Sequence, residues 1–125
     1  LLAIDDGDVG RMDEDGYIYI VDRKKDVILM AGYNVYPLEV ERVVSAHPDV
    51  AMVGVGPKQD EMKGEVPKAY IVLRQGAKGD PDSIVRFCRE HLAAYKIPRA
   101  IQFVSDLPKT GSGKIMRREL KTLDD

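Results

Sequence analysis

The chain has 125 residues, 44% apolar and 32% charged, the proportions of one small globular domain or of a piece of a larger protein. Nineteen Lys and Arg against twenty-one Asp and Glu leave a net charge of −2, so no bulk positive field exists to draw nucleic acid or anionic membrane. One cysteine with two histidines excludes an internal disulfide and a closed zinc site, and no apolar run approaches the ~20 residues of a membrane span. The chain opens on Leu1, which suggests an excised fragment, and no signal peptide precedes the first charge at Asp5. A cytoplasmic setting is expected.

Val9–Met12 and Tyr17–Val21 flank the acidic turn Asp13-Glu14-Asp15-Gly16 and predict a β-hairpin. Five consecutive charges, Asp22-Arg23-Lys24-Lys25-Asp26, then break the apolar pattern. Val27–Met30 predicts a short strand, turned back by Ala31-Gly32-Tyr33-Asn34 to Val35-Tyr36. Pro37 suits the first position of a helix whose inward face, Val40, Val43, Val44 and His47, follows the i, i+3, i+4, i+7 spacing. His47 reads as a helix-end residue rather than a base or ligand. Val50–Val55 and Val66–Leu73 predict strands separated by a polar, turn-rich 56–64 segment. Asp80-Pro81 caps a second helix with Ile84, Phe87, Cys88 and Leu92 inward, which makes Cys88 core filler rather than nucleophile. A third strand at Ile101–Val104 precedes a short C-terminal helix from about Ile115. The expected fold is α+β, a small mixed sheet with two to three helices, preceded by a β-hairpin.

Charge is unevenly distributed. Residues 1–15 hold six acids and one base, whereas 107–121 hold Lys109, Lys114, Arg117, Arg118 and Lys121 against Glu119 alone. Within the basic end, Pro108-Lys109-Thr110-Gly111-Ser112-Gly113-Lys114 combines two glycines, two hydroxyls and two lysines. That composition describes a mobile loop able to approach phosphate oxygens. It is not a Walker loop, which wants Gly where Pro108 stands and Ser or Thr where Ile115 stands.

Taken together, Gly7-Asp8, Asp22-Arg23-Lys24-Lys25-Asp26, Gly32-Tyr33-Asn34-Val35-Tyr36-Pro37-Leu38-Glu39-Val40-Glu41, Tyr95-Lys96-Ile97-Pro98 and Leu107–Arg118 resemble the C-terminal part of adenylate-forming enzymes. That superfamily joins acyl-CoA synthetases, peptide-synthetase adenylation domains and luciferases. The 21–26 and 34–37 stretches look most like bacterial fatty-acid–CoA ligases. Asp6 and Asp5 stand where the family usually has Thr and Arg, and Leu29 replaces a lysine of luciferase-like members.

The resemblance implies a division into residues 1–21, the end of a large N-terminal domain; 22–26, a hinge; and 27–125, a small mobile C-terminal domain. It implies an acid–thiol ligase that converts a fatty acid and ATP to acyl-AMP and transfers the acyl group to CoA, inactive as this piece alone. Asp8 matches the aspartate on the ribose hydroxyls, Arg23 the arginine near ribose and α-phosphate, and Lys25 the hinge. Gly32 matches the glycine beside the pantetheine tunnel, Arg89 an arginine near the CoA 3′-phosphate, and Lys114 the catalytic lysine of adenylation. Mg²⁺ is expected through the N-terminal domain, with no metal site in this chain. Implied partners are that domain, ATP, CoA and a carboxylic acid. Because acetylation would remove the Lys114 charge, a lysine acetyltransferase and deacetylase join them. The alternatives are an adenylation domain delivering to a carrier protein and a non-catalytic binding module of the same fold.

Overall fold

The computed structural model describes residues 2–4, 8–12 and 18–23 as backbone and residues 26–125 with their side chains. Strands β1 (Leu2–Ile4), β2 (Asp8–Met12) and β3 (Ile18–Arg23) form an antiparallel sheet in that order. The β2–β3 pairing is the expected hairpin, although its acidic turn lies outside the described residues. Strand β1, three residues long, is not among the elements the sequence predicts.

The second sheet contains β4 (Ile28–Met30), β5 (Tyr33–Val35), β6 (Val50–Asp60), β7 (Gly64–Leu73) and β8 (Ala100–Phe103). Its order is β5-β4-β7-β6, with β8 also pairing β7. All of these pairings are antiparallel except β7–β8, so the sheet is mixed, as the sequence predicted. The β6–β7 ladder runs five residues further than expected, from Val50↔Leu73 out to Asp60↔Gly64. Pro57, Lys58 and Gln59 are exposed, so the pleat there carries no apolar alternation while the backbone pairing continues. Asp60 closes the ladder by accepting from the Met62 and Lys63 N–H groups at 2.9 and 3.0 Å.

Two helices cover one face. Helix α1 (Pro37–Ser45) starts on its proline, and α2 (Pro81–Arg89) starts on Pro81 with Asp80 accepting from the Asp82 N–H at 3.0 Å. Ile28, Val35, Val40, Val44, Ile71 and Ile84 form the core between these helices and the sheet. Cys88 lies in it fully buried, and burial pushes its thiol up to about 11, the behaviour of filler rather than of a nucleophile. His47 is 5% exposed; its Nδ1 accepts from the Asp49 N–H at 3.1 Å, which leaves Nε2 to donate to Ser83 Oγ at 2.9 Å. It therefore joins the end of α1 to α2.

The opposite face carries the C-terminal segment. Residues Arg117–Leu123 form the short C-terminal helix expected from about Ile115, as a 3-10 helix that starts two residues later. Its Leu120, 1% exposed, packs with Tyr70 and Leu107 beneath the sheet. Gly54 makes room for it: a Cβ there would sit 3.0 Å from Leu120 Cδ2 and 3.2 Å from Ile115 Cγ2. The end of the chain is tied down by Asp124, which accepts from Lys68 Nζ at 2.7 Å and from the Tyr70 hydroxyl at 2.5 Å. Gln102 adds a bond to the Leu123 carbonyl at 2.6 Å.

Burial, and secondly the bond to Asp124, raise the Tyr70 phenol well above its ordinary value of 10. A raised value means that Tyr70 stabilises the fold fully below pH 10 and progressively less as pH climbs above it. Ultraviolet titration of the chain and of Tyr70→Phe tests this: at about pH 11 the two should show equal tyrosinate absorbance. Extra tyrosinate in the parent with a midpoint near 10 would contradict it.

Candidate functional site

The Pro108–Lys114 segment is a closed turn. Lys109 and Ile115 form a β-bridge across its neck. Inside it the Thr110 N–H reaches the Lys114 carbonyl at 2.7 Å, the Gly113 N–H reaches the Thr110 carbonyl at 2.9 Å, and the Met116 N–H reaches the Pro108 carbonyl at 2.8 Å. Thr110 Oγ1 lies 3.0 Å from Ser112 Oγ and accepts from the Lys114 N–H at 3.2 Å. Both hydroxyls thus brace the turn. Gly113 adopts φ +88°, which a residue with a Cβ rarely takes, and that allows the turn to close.

The two lysines of the loop have different circumstances. Lys109 Nζ is 3.2 Å from Asp106 Oδ1. The Leu107 N–H, then Lys109 itself, hold the Asp106 carboxyl below the usual carboxylate range. Lys114 is exposed, and among the described residues its ammonium has no hydrogen-bonding or ion-pair partner. One lysine is structural; the other is presented.

Three residues beyond Lys114, Arg117 draws three elements together. Its Nε and Nη2 donate to Glu41 Oε2 and Oε1 at 3.0 and 2.6 Å, and Nη1 donates to Asp26 Oδ2 at 3.0 Å. Glu41 Oε2 also accepts from the Val55 N–H of β6 at 2.9 Å. The side chains of Arg117, Asp26 and Glu41 are 17%, 13% and 11% exposed, so this is a partly desolvated cluster built on a bidentate Arg117–Glu41 pair. In the sequence Glu41 is the last residue of the 32–41 motif, with no partner assigned. A signal was available: Pro37, Val40, Glu41 and Val44 share the inward spacing, and an inward carboxylate requires a cation.

A cleft of about 360 Å³ is lined by Asp26, Thr110, Lys114, Arg118 and Glu119. It brings Lys114 beside the residue that follows Lys25. Lys25 itself lies outside the described residues. Asp8 and Arg23 are direct cross-strand partners in β2 and β3, with a register shift between Val9 and Gly10. Gly32 forms a two-residue hairpin turn with Ala31, at φ 85° and 50°, between the paired Met30 and Tyr33. The turn is held to the β6–β7 end by the Ala31 N–H, which reaches the Lys63 carbonyl at 2.8 Å. Tyr33 stacks on Tyr95 with ring centroids 4.7 Å apart, and Lys96 pairs with Glu39 at 2.9 Å, so the 95–98 motif supports this turn. Arg89 is exposed in the last turn of α2 and lines neither the Lys114 cleft nor the adjoining one. Among the described residues no group of three or more His, Cys, Asp or Glu could hold a metal ion, and no helix is long and apolar enough to cross a membrane.

A family model described as the AMP-binding enzyme C-terminal domain matches residues 39–114. Over 117 residues the chain is 49% identical to a 2-succinylbenzoate–CoA ligase of Geobacillus kaustophilus, covering 94% of this chain and 24% of that protein. Over 114 residues it is 48% identical to a long-chain-fatty-acid–CoA ligase of Bacillus subtilis, covering 91% and 20%. Among solved structures, o-succinylbenzoate CoA synthetase from Bacillus subtilis, in complex with its acyl-adenylate intermediate, matches with a TM-score of 0.87 at 40% identity. That match covers 93% of this chain and 24% of the other. The chain therefore spans about a quarter or less of the length of these relatives.

Among the described residues nothing lies within 4 Å of a Cβ built on Gly32, so among them its positive φ is the constraint, not crowding. Gly32→Ala should lower the unfolding free energy by about 1–2 kcal/mol, read from urea denaturation. A neutral substitution would show that the hairpin does not need the left-handed turn.

Proposed function

The chain belongs to the AMP-binding enzyme C-terminal domain family, and we propose that the whole protein is an AMP-forming acid–CoA ligase with ATP and CoA as substrates. The observation that carries this reading is Lys114: an exposed ammonium at the end of a braced turn, in one cleft with the residue that follows Lys25. In the first half-reaction a carboxylate attacks the α-phosphorus of ATP and pyrophosphate leaves. Lys114 meets the charge that gathers on the equatorial oxygens, and a preorganised donor of this kind contributes about 3–4 kcal/mol. Asp8 holds the ribose hydroxyls and Arg23 the ribose and α-phosphate side. Their direct opposition in β2 and β3 supports a shared ligand.

In the second half-reaction the CoA thiolate attacks the acyl carbonyl of the adenylate, the acyl C–O bond breaks and AMP leaves. The small domain, residues 27–125, turns about Lys25 in the 22–26 hinge against the large domain that contains 1–21. Lys114 then leaves and the β4–β5 turn with Gly32 enters. Arg89, exposed on α2 and outside the lining of the Lys114 cleft, takes the CoA 3′-phosphate. Mg²⁺ would be held by residues outside this chain. Acetylation of Lys114 would switch off the first half-reaction; its exposure supports access by a modifying enzyme in the cytoplasm.

The acid we propose is fatty, on the 21–26 and 34–37 motifs and the long-chain relative. A 2-succinylbenzoate-like acid is the second reading, favoured by the 49% identical relative. Tight binding of ATP by this chain alone would favour a free-standing binding module instead.

Two variants of the full-length protein test the assignment through opposite profiles. Lys114→Ala should depress acid-dependent pyrophosphate exchange by about 10²–10³-fold and still make thioester from pre-formed acyl-adenylate. Lys25→Pro, which fixes φ at the hinge, should spare exchange and block thioester formation. Equal loss of both half-reactions in either variant would overturn the role given to that residue.

A further inference from the structure

We infer that Asp26 and Arg117 couple the hinge to the catalytic turn, so that both are positioning residues for adenylation, an inference that rests on the roles proposed above for Lys25 and Lys114. Asp26 is covalently next to Lys25. Arg117 is three residues beyond Lys114. The contact between them, Nη1 to Oδ2 at 3.0 Å, joins the two functional positions by a path far shorter than the intervening chain.

The rest of the guanidinium shows why this path is stiff. Nε and Nη2 are both committed to Glu41, which is itself held by the Val55 N–H, so Arg117 is fixed to α1 and β6 independently of Asp26. The two residues between Arg117 and Lys114 are also fixed: Ile115 by its bridge to Lys109 and Met116 by its bond to the Pro108 carbonyl. Rotation at residue 25 therefore reaches Lys114 without slack, through Asp26, the guanidinium and the neck of the turn. Without the Asp26 carboxylate, the segment that presents Lys114 keeps its ties to α1 and β6 but loses its direct bond to the hinge.

Asp26→Ala removes only this arm and leaves the Arg117–Glu41–Val55 set in place. In the full-length enzyme it should lower kcat for pyrophosphate exchange by about 10–10²-fold, the scale of a small misplacement of a catalytic group, with KM for ATP and acid held within about twofold. Asp26→Asn retains an acceptor oxygen and should fall between wild type and Ala, which also preserves the test if Ala folds poorly. In a Lys114→Ala background Asp26→Ala should cost nothing more, whereas a general structural role would cost the same in both backgrounds.

Amide hydrogen exchange gives a readout that needs no activity. Residues 110–116 should exchange about tenfold faster in Asp26→Ala, with the β6–β7 amides unchanged, as for loss of one charge-assisted bond. Unchanged exchange in 110–116, or additive losses in the double variant, would overturn the coupling. If Lys114→Ala left pyrophosphate exchange intact, the adenylation role would fail by itself, and the hydrogen-exchange arm would still decide whether Asp26 holds the turn.

Discussion

Arg117 meets Glu41 and Asp26 where three parts of the chain would otherwise repel or drift apart. Two carboxylates brought together out of water are costly, and one planar guanidinium with five donors can satisfy both. Here it does so through two bonds to Glu41 and one to Asp26. Glu41 then has capacity left for the Val55 N–H. A lysine could not copy this geometry, because a point charge cannot address two carboxylates along fixed directions. Remove the guanidinium and the residue after the hinge, α1 and the C-terminal 3-10 helix lose their common partner.

The rest of the architecture arranges itself around that contact. Alternation along β7 sends Ala69 and Ile71 to the helical face and Tyr70 and Val72 to the C-terminal face. Gly54 lets Leu120 approach the sheet closely, and Lys68, Tyr70 and Gln102 secure the chain beyond it. Lys114 is thus an exposed side chain on a backbone fixed at the neck of its turn and by Arg117 beyond it. A preorganised donor must be held in this manner if its charge is to act without reorganisation.

Most of the fold was legible because its signals are local. Pro37 and Pro81 mark both helix starts, and the valines of α1 and β6 declare their faces. The misses have physical causes. The outer half of the β6–β7 ladder lies off the core, so its backbone pairing leaves no apolar period. The closure of the 108–114 turn is hidden because sequence counts glycines and hydroxyls but not their partners, which here are one another. Lys114 could be singled out by motif, but its contrast with Lys109 depends on Asp106, a tertiary fact. The Glu41–Arg117 pair spans 76 residues, and charge type alone does not say which of nineteen cations meets which of twenty-one anions.

The central claim is that this cluster, not the loop composition, fixes the segment that presents Lys114. A double-mutant cycle in equilibrium unfolding of the chain, with Arg117→Ala, Glu41→Ala and the pair, measures it directly. Either single substitution should cost about 3 kcal/mol, because each strands a partly buried charge. The double should cost little more than one, giving a coupling of about 2–3 kcal/mol. Two singles that each cost under about 0.5 kcal/mol, or that simply add, would contradict the account.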